Sequence, residues 1–435
     1  MTDVQVGLAG IGLLLALIAL RVPIGVTMIT VSFAGIWTIM GWNVAWGSLG
    51  VIPYQFSTNW VLSSVPMFLL LGFICYHARL TEGLFRAARM WLAGVPGGLA
   101  ISGILGCAGF ASVCGSSVAC SAAMGRIAVP EMMKQRYSAE LATGTVAAGG
   151  TIGALIPPSI IMILYGIIAQ TSITELFLGG VTIGLLTMLS YIVVILVRVK
   201  LNPALAPAAE EVIPFSEKVR ALKDVWPIVL VMIGIFGGLF SGLFTPTEAG
   251  AIGAFLSCVV ALIARQLTWE RFKNAILETL LTTTALLIIG IGASLLQRFL
   301  ALSGAGTFIS ELIIDQNADI VWVLLGIVVI YLLLGMFLEP IGAMLLTLPI
   351  VLPIINSAGL SLVWFGVVLT KLLEIGMITP PVGMNVFVIK GVVGNLISTT
   401  GIFRGIMWFL LVDAVVLAIM MVYPDVVLFL PAIAR

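Results

Sequence analysis

The chain has 435 residues, 61% of them hydrophobic and only 9% charged, with 20 basic and 19 acidic side chains and a formal net charge of +1. A soluble domain carries roughly 25% charged residues, so a soluble globular protein is excluded, and nothing in the balance implies a nucleic-acid partner. With a mean hydropathy of +1.23 and apolar runs of about 20 residues recurring along its length, the chain reads as an all-α, polytopic membrane protein embedded in a lipid bilayer.

The first run, MTDVQVGLAGIGLLLALIAL, has no basic leader and no small-x-small cleavage motif, so it reads as a span over 4–20 and not as a removable signal. Further spans are expected over 24–40, 60–78, 138–170, 173–197, 225–243, 246–264, 275–297, 361–395 and 405–422. Segments 97–133 and 319–356 are too long for one crossing and too apolar for loops. Each has a small or turn-forming centre, CGSSVA at 114–119 and LEPIG at 338–342, which predicts a re-entrant hairpin. Segments 79–92 and 303–316 read as amphipathic helices near opposite membrane faces, one basic and one acidic. Trp37, Trp42, Trp46, Trp60 and Trp322 read as interfacial anchors, and His77, the single histidine, as an interfacial side chain.

With residues 1–3 outside and both hairpins counted, all Lys and Arg residues except Arg298, Arg435 and Lys371 fall on the inner side. That bias places the N-terminus outside, which in a bacterial or archaeal inner membrane is the periplasmic side. A full crossing in place of either hairpin would abolish the bias.

A shift of 223 positions superposes Pro157 and Pro158 on Pro380 and Pro381, Gly153 on Gly376, Pro130 on Pro353, Ser138 on Ser361 and Pro23 on Pro246. The chain therefore reads as an internal duplication, with one repeat over 1–200, a cytoplasmic linker over 201–224 and a second repeat over 225–435. An odd number of crossings between equivalent points makes the repeats inverted, the architecture of secondary transporters.

The proline pairs break two helices at mid-depth. Proline lacks the N–H that would satisfy the carbonyl four residues back, so Gly153, Ala154, Gly376 and Met377 are expected to carry bare carbonyls. Ile156 and Thr379, each before a proline, are pushed out of helical geometry. One half-helix then ends in carbonyls suited to a cation, and the next begins with N–H groups suited to an anion. Cys114, Gly115, Ser116 and Ser117 on the first hairpin tip, and Leu338, Glu339 and Pro340 on the second, complete two sites. The first is expected to offer hydroxyls and carbonyls without a carboxylate, favouring Na⁺. The second has Glu339 and Glu374 nearby, and both a Na⁺ and a proton role stand there. Packing readings stand beside these: a double proline as a kink, GSSVACSAAMG as a small-residue packing face, and Lys371 with Glu374 as a neutralised structural pair.

No phosphate-binding GxxxxGK[ST] motif is present, which removes an ATP-driven pump. The five cysteines (Cys75, Cys107, Cys114, Cys120 and Cys258) form no CxxC, and with one histidine they supply neither a catalytic nor a metal-binding set. No enzyme activity and no cofactor is expected.

At GSSVACSAAMGRIAVPEM (115–132), GGTIGALIPPSIIMILYGI (149–167), FTPTEAGAIGAF (244–255), LGMFLEPIGAMLLTLPIVLPI (334–354) and EIGMITPPVGMNVFV (374–388), the chain resembles the large membrane subunit of TRAP (tripartite ATP-independent periplasmic) transporters. That resemblance implies an elevator-type, Na⁺-driven importer of organic anions, often C4-dicarboxylates. It also implies a small four-helix membrane subunit, expected here as a separate chain, and a periplasmic substrate-binding protein. By the resemblance, one Na⁺ site uses Cys114–Ser117 with Gly153, Ile156 and Pro158, and the other uses Leu338–Glu339 with Gly376, Thr379 and Pro381. The substrate is expected near Ser116, Ser117, Pro158, Ser159, Glu339, Pro381 and Asn385. The chain departs from the family pattern at Cys114, where serine is commoner, and at Glu339, where an aspartate-type tip is commoner. A stand-alone symporter or exchanger of related architecture is the alternative.

Overall fold

The structure is a computed structural model that describes residues 2–207, 213–306, 308 and 320–434. The described residues form helices and connecting turns without a strand, and seven of the helices among them are long and apolar enough to cross a bilayer.

The first half begins with α1 (Asp3–Ala19), α2 (Ile24–Met40), α3 (Trp42–Ser57), α4 (Ser64–His77) and the short α5 (Glu82–Trp91). Thr2 and Gln5 close α1 with a reciprocal capping box. Gly41, at φ +85°, turns the chain from α2 into α3 in a backbone region that L side chains avoid. α3 adds to the sequence reading, which left residues 41–59 between spans. Its Asn43, Ser48, Gln55 and internal Pro53 hide the apolar pattern, but edge-on contacts of Trp42 and Trp46 with Phe33 fasten it to α2.

Next come α6 (Gly98–Cys114) and α7 (Ser117–Lys134), joined by only Gly115 and Ser116. α8 (Ala139–Thr151) ends in a single 3₁₀ turn at Ile152–Ala154. The chain then leaves helical geometry until α9 (Ile160–Ile168), and α10 (Ile173–Leu201) completes the half. After the connecting segment, α11 (Phe215–Leu222) docks on α5, with the Trp91 indole donating to the Lys218 carbonyl at 3.0 Å and Arg86 paired with Asp224 at 3.1 Å.

The second half runs α12 (Trp226–Phe240), α13 (Pro246–Ile263), α14 (Trp269–Ser303), α15 (Ile320–Phe337), α16 (Pro340–Ser357), α17 (Leu362–Gly376), α18 (Met384–Val393), α19 (Thr399–Val422) and α20 (Asp425–Ile433). Moving α7 by 223 positions gives the bounds of α16, and moving α2 and α8 lands on α13 and α17. Both proline pairs, Pro157–Pro158 and Pro380–Pro381, are joined by cis peptide bonds. The halves differ where α3 and α4 are separate, because α14 runs unbroken for 35 residues, about 50 Å. It therefore begins at Trp269, ahead of the expected 275, and carries Arg271 and Lys273 in its first turns. α20 is a second addition beyond the last expected span. Of the expected amphipathic segment 303–316, residues 307 and 309–316 lie outside the described residues.

Helices in lipid approach closely through small residues, since the lipid tails compete for apolar contact. α2 crosses α14 where a Cβ on Gly292 would lie 2.9 Å from the Gly25 carbonyl oxygen. α13 meets α4 at Gly250, whose Cβ would lie 3.1 Å from Cβ of Met67. These helices form a frame around an inner bundle in which the halves interlock. The Tyr165 hydroxyl of α9 donates to the Leu362 carbonyl of α17 at 2.7 Å. Reciprocally, Ile389 of α18 packs on Gly125 of α7. α16 is long enough to cross a membrane, but 78% of it is buried within the protein, against 17% of α15. α16 is thus an inner arm, and α15 faces outward.

Candidate substrate and ion site

The first tip closes because its residues suit a reversal between two helices. Gly115 adopts φ +62° and lies directly on the Pro158 carbonyl oxygen, leaving no room for a Cβ. Ser116 caps α7 by accepting a hydrogen bond from the Ala119 N–H. A Cβ on Gly153 would lie 3.2 Å from the Ser116 carbonyl oxygen and from Cα of Ser117, so the tip and the first break are in contact. At the second tip, Glu339 caps α16, its Oε2 accepting from the Gly342 N–H at 3.0 Å. The second break meets α15 one turn before that tip, where Gly376 faces Gly335 backbone to backbone.

Both tips border one cavity of about 670 Å³. Cys114, Gly115, Ser116 and Ser117 line it from one side and Glu339 and Pro340 from the other, with Ala154 and Met377 contributed by the two breaks. The frame supplies the remaining wall through Leu69 and Phe73 of α4 and Thr282 and Ala285 of α14. Glu339 and Glu374 are its two carboxylates, and no Lys, Arg or His stands among the lining residues. The other nominated residues lie outside this lining. Ser159 is buried and caps α9, accepting from the Met162 N–H at 3.3 Å. Ile156 packs on Gly184, Pro381 is exposed, and Leu338 joins α15 to the second tip. Asn385 is fully buried, and both its side-chain polar atoms lack a partner among the described residues.

Three details revise the sequence reading. The carbonyls of Gly376 and Met377 are not bare, because the N–H groups of Thr379 and Asn385 donate to them at 3.1 and 3.0 Å. A tight turn before the prolines supplies the Thr379 donor, and the chain folding back after them supplies Asn385. The Thr379 hydroxyl is likewise spent on the Ile375 carbonyl at 2.6 Å. In the first break, no backbone donor reaches Gly153 or Ala154 among the described residues.

Second, the first tip does have a carboxylate, supplied by the opposite half: the Ser117 hydroxyl donates to Glu374 Oε1 at 3.1 Å, and Oε2 has no partner among the described residues. Third, Lys371 is not neutralised by Glu374. Its ammonium lies 2.6 Å from Asp413 Oδ1, both side chains being wholly buried. It also donates to Thr187 at 3.2 Å and stands over the Tyr191 ring. The Tyr191 hydroxyl donates to Asp413 Oδ2 at 2.7 Å and lies 3.2 Å from Thr151 Oγ1. The network thus runs from the last residue of α8, just before the first break, to the helix that enters the second. Asp413 was missed by sequence reasoning. A lone aspartate within the apolar run LLVDAVV was the available signal, since such a charge needs a partner.

Fold and site together define a multi-pass, all-α membrane protein with a cavity bounded by two helix-pair tips and two interrupted helices. The family model for the DctM component of the tripartite ATP-independent periplasmic transporters matches residues 11–426, and the chain belongs to this family. It is the large membrane subunit of a TRAP transporter, a transport protein and not an enzyme. It is 34% identical to the C4-dicarboxylate TRAP transporter large permease protein DctM of Pseudomonas aeruginosa, over 88% of this chain and 89% of that one. It is 30% identical to the sialic acid TRAP transporter large permease protein SiaM of Vibrio cholerae, over 86% of each. Among solved structures, the YdaH transporter of Alcanivorax borkumensis superposes with a TM-score of 0.62 at 16% identity, covering 88% of this chain and 89% of that one, a likeness of fold alone.

Proposed function

We propose that the chain carries an organic anion inward together with Na⁺, by movement of the inner bundle against the frame as an elevator. The observation that carries this reading is the cavity's lining: two acidic side chains and no basic one stand in it. An anion entering there finds no positive side chain to offset its charge in a poorly solvated space, which is unfavourable unless a cation enters too. Coupling follows from that requirement, because anion and cation each lower the cost of the other.

In this reading the α6–α7 and α15–α16 pairs are re-entrant hairpins of two inverted repeats, and the N-terminus is periplasmic. The recurrence of element bounds at a spacing of 223 residues supports the repeat. One Na⁺ is held by the Cys114–Ser117 tip with carbonyls of the first break around Gly153, Ile156 and Pro158. A second is held by Leu338 and Glu339 with Gly376, Thr379 and Pro381. The anion lies between the tips at Ser116, Ser117 and Glu339, with Pro158, Ser159, Pro381 and Asn385 on the break side of each. Relatives named for a C4-dicarboxylate and for sialic acid support an organic anion as the substrate class. A small four-helix subunit and a periplasmic binding protein complete the machine.

The test is uptake into proteoliposomes containing this chain and the small subunit, with the binding protein encoded beside them and its own ligand. An inward Na⁺ gradient is expected to drive accumulation, replacement of Na⁺ by choline to stop it, and Glu374→Gln to weaken the Na⁺ dependence. Uptake indifferent to choline replacement would remove Na⁺ coupling. Uptake that persists without the binding protein would favour a stand-alone carrier.

A further inference from the structure

The face of α7 below the first tip serves two cavities. Ala119 and Ala122 line the central one, whereas Ala123, Arg126 and Ile127 line a second cavity of about 450 Å³. These positions follow each other at helical spacings of three and four, so they form one continuous strip. α14 repeats the arrangement, with Thr282 and Ala285 on the central cavity and Arg271 on the second. Two helices therefore wall both spaces, and the rise from Ala119 to Arg126 is only about 10 Å.

The chemistry reverses along that strip. The second cavity is lined by Arg79, Arg126 and Arg271, with Glu82 as the one acidic side chain in its wall. Glu82 stands 3.6 Å from Arg79, and His77 is matched by Glu278 at 3.3 Å. Arg271 donates to the Gln266 carbonyl at 2.6 Å, a bond that leaves its charge uncompensated. No salt bridge or hydrogen bond engages the Arg126 side chain among the described residues. Two guanidinium charges thus line the hollow without a salt bridge among the described residues.

We propose that this cavity is an anion vestibule, a second site that takes the carboxylate of the transported anion once it has left the tips. The proposal rests on the import reading above, in which the ends of α7 and α14 near Lys134 and Arg271 are cytoplasmic. An anion leaving a cavity lined by carboxylates moves down the α7 strip toward positive potential, and the walled hollow focuses that potential. The ligand chemistry is a compact carboxylate or phosphate oxyanion. A solute is favoured over a lipid headgroup because the cavity shares two walls with the tip cavity.

The test uses Ile127→Cys in the purified full chain, labelled with a negatively and a positively charged methanethiosulfonate and corrected for the parent protein. The negative reagent is expected to gain relative to the positive one. Arg126→Gln should cut that ratio by about three- to tenfold, and Arg126→Lys should restore it. Succinate, used as a test dicarboxylate, is expected to slow labelling in the arginine form and not in Arg126→Gln. An unchanged ratio in Arg126→Gln, or absence of succinate protection, overturns the site. Repetition in vesicles of phosphatidylcholine alone and with phosphatidylglycerol separates the sources. If the arginine effect needs the anionic lipid, the cavity holds a headgroup and the vestibule is refuted. Labelling requires neither transport nor Na⁺, so a negative Na⁺ test leaves this result readable on its own.

Discussion

Lys371→Met removes the cation from an ion pair that has no solvent contact on either side. Asp413 would keep the Tyr191 hydroxyl at 2.7 Å and lose the ammonium at 2.6 Å. Leaving one member of a buried pair uncompensated costs about 3–5 kcal/mol. Asp413→Leu should cost a similar amount, because Lys371 then retains only the Thr187 hydroxyl at 3.2 Å and the Tyr191 ring. The double variant Lys371→Met/Asp413→Leu removes both charges, and replacing a whole buried pair by apolar groups is often close to neutral. The two single costs should therefore fail to add, with a coupling of about 3 kcal/mol or more. Tyr191→Phe deletes one donor and should cost about 1–3 kcal/mol. Equilibrium unfolding of the purified chain in mixed micelles of graded SDS content gives all four values. Additivity of the single variants within about 0.5 kcal/mol would refute the claim that these two charges compensate each other inside the bundle.

Gly376→Ala places a Cβ 2.6 Å from the Gly335 Cα, where only backbone can yield, whereas Gly335→Ala meets the Gly376 Cα at 3.1 Å. Overpacking of this kind costs about 1–3 kcal/mol, so folded yield by size exclusion should fall more for Gly376→Ala, and the reverse order would count against the crossing described. Gly115→Ala combines a positive φ with contact on the Pro158 carbonyl, whereas Gly41→Ala has a positive φ and open space. Both incur a conformational cost of about 1 kcal/mol, but only Gly115→Ala should also impair uptake per folded molecule; equal uptake in the two variants would remove the first tip from the transport site.

The proline pairs, tips and 223-residue register were legible because each is a backbone property fixed by residue type: a missing N–H, a Gly–Ser reversal, a repeated element length. α3 escaped because tryptophan, asparagine and an internal proline disguise a helix that is held by aromatic contact with α2. Partner choice was less legible still. A spacing of three suggested Lys371 and Glu374 as a pair, yet Lys371 turns to Asp413, where Thr187 and Tyr191 complete its surroundings. Glu374 is thereby released to reach Ser117 in the other half. No local pattern encodes that contact, since it depends on which half's tip lies against which half's break. Its consequence is physical coupling. The carboxylate beside the first tip is carried on the helix that leads into the second break, only two residues before Gly376. Under the proposed function, a cation drawn to that carboxylate and a rearrangement of the second break would therefore act on the same side chain.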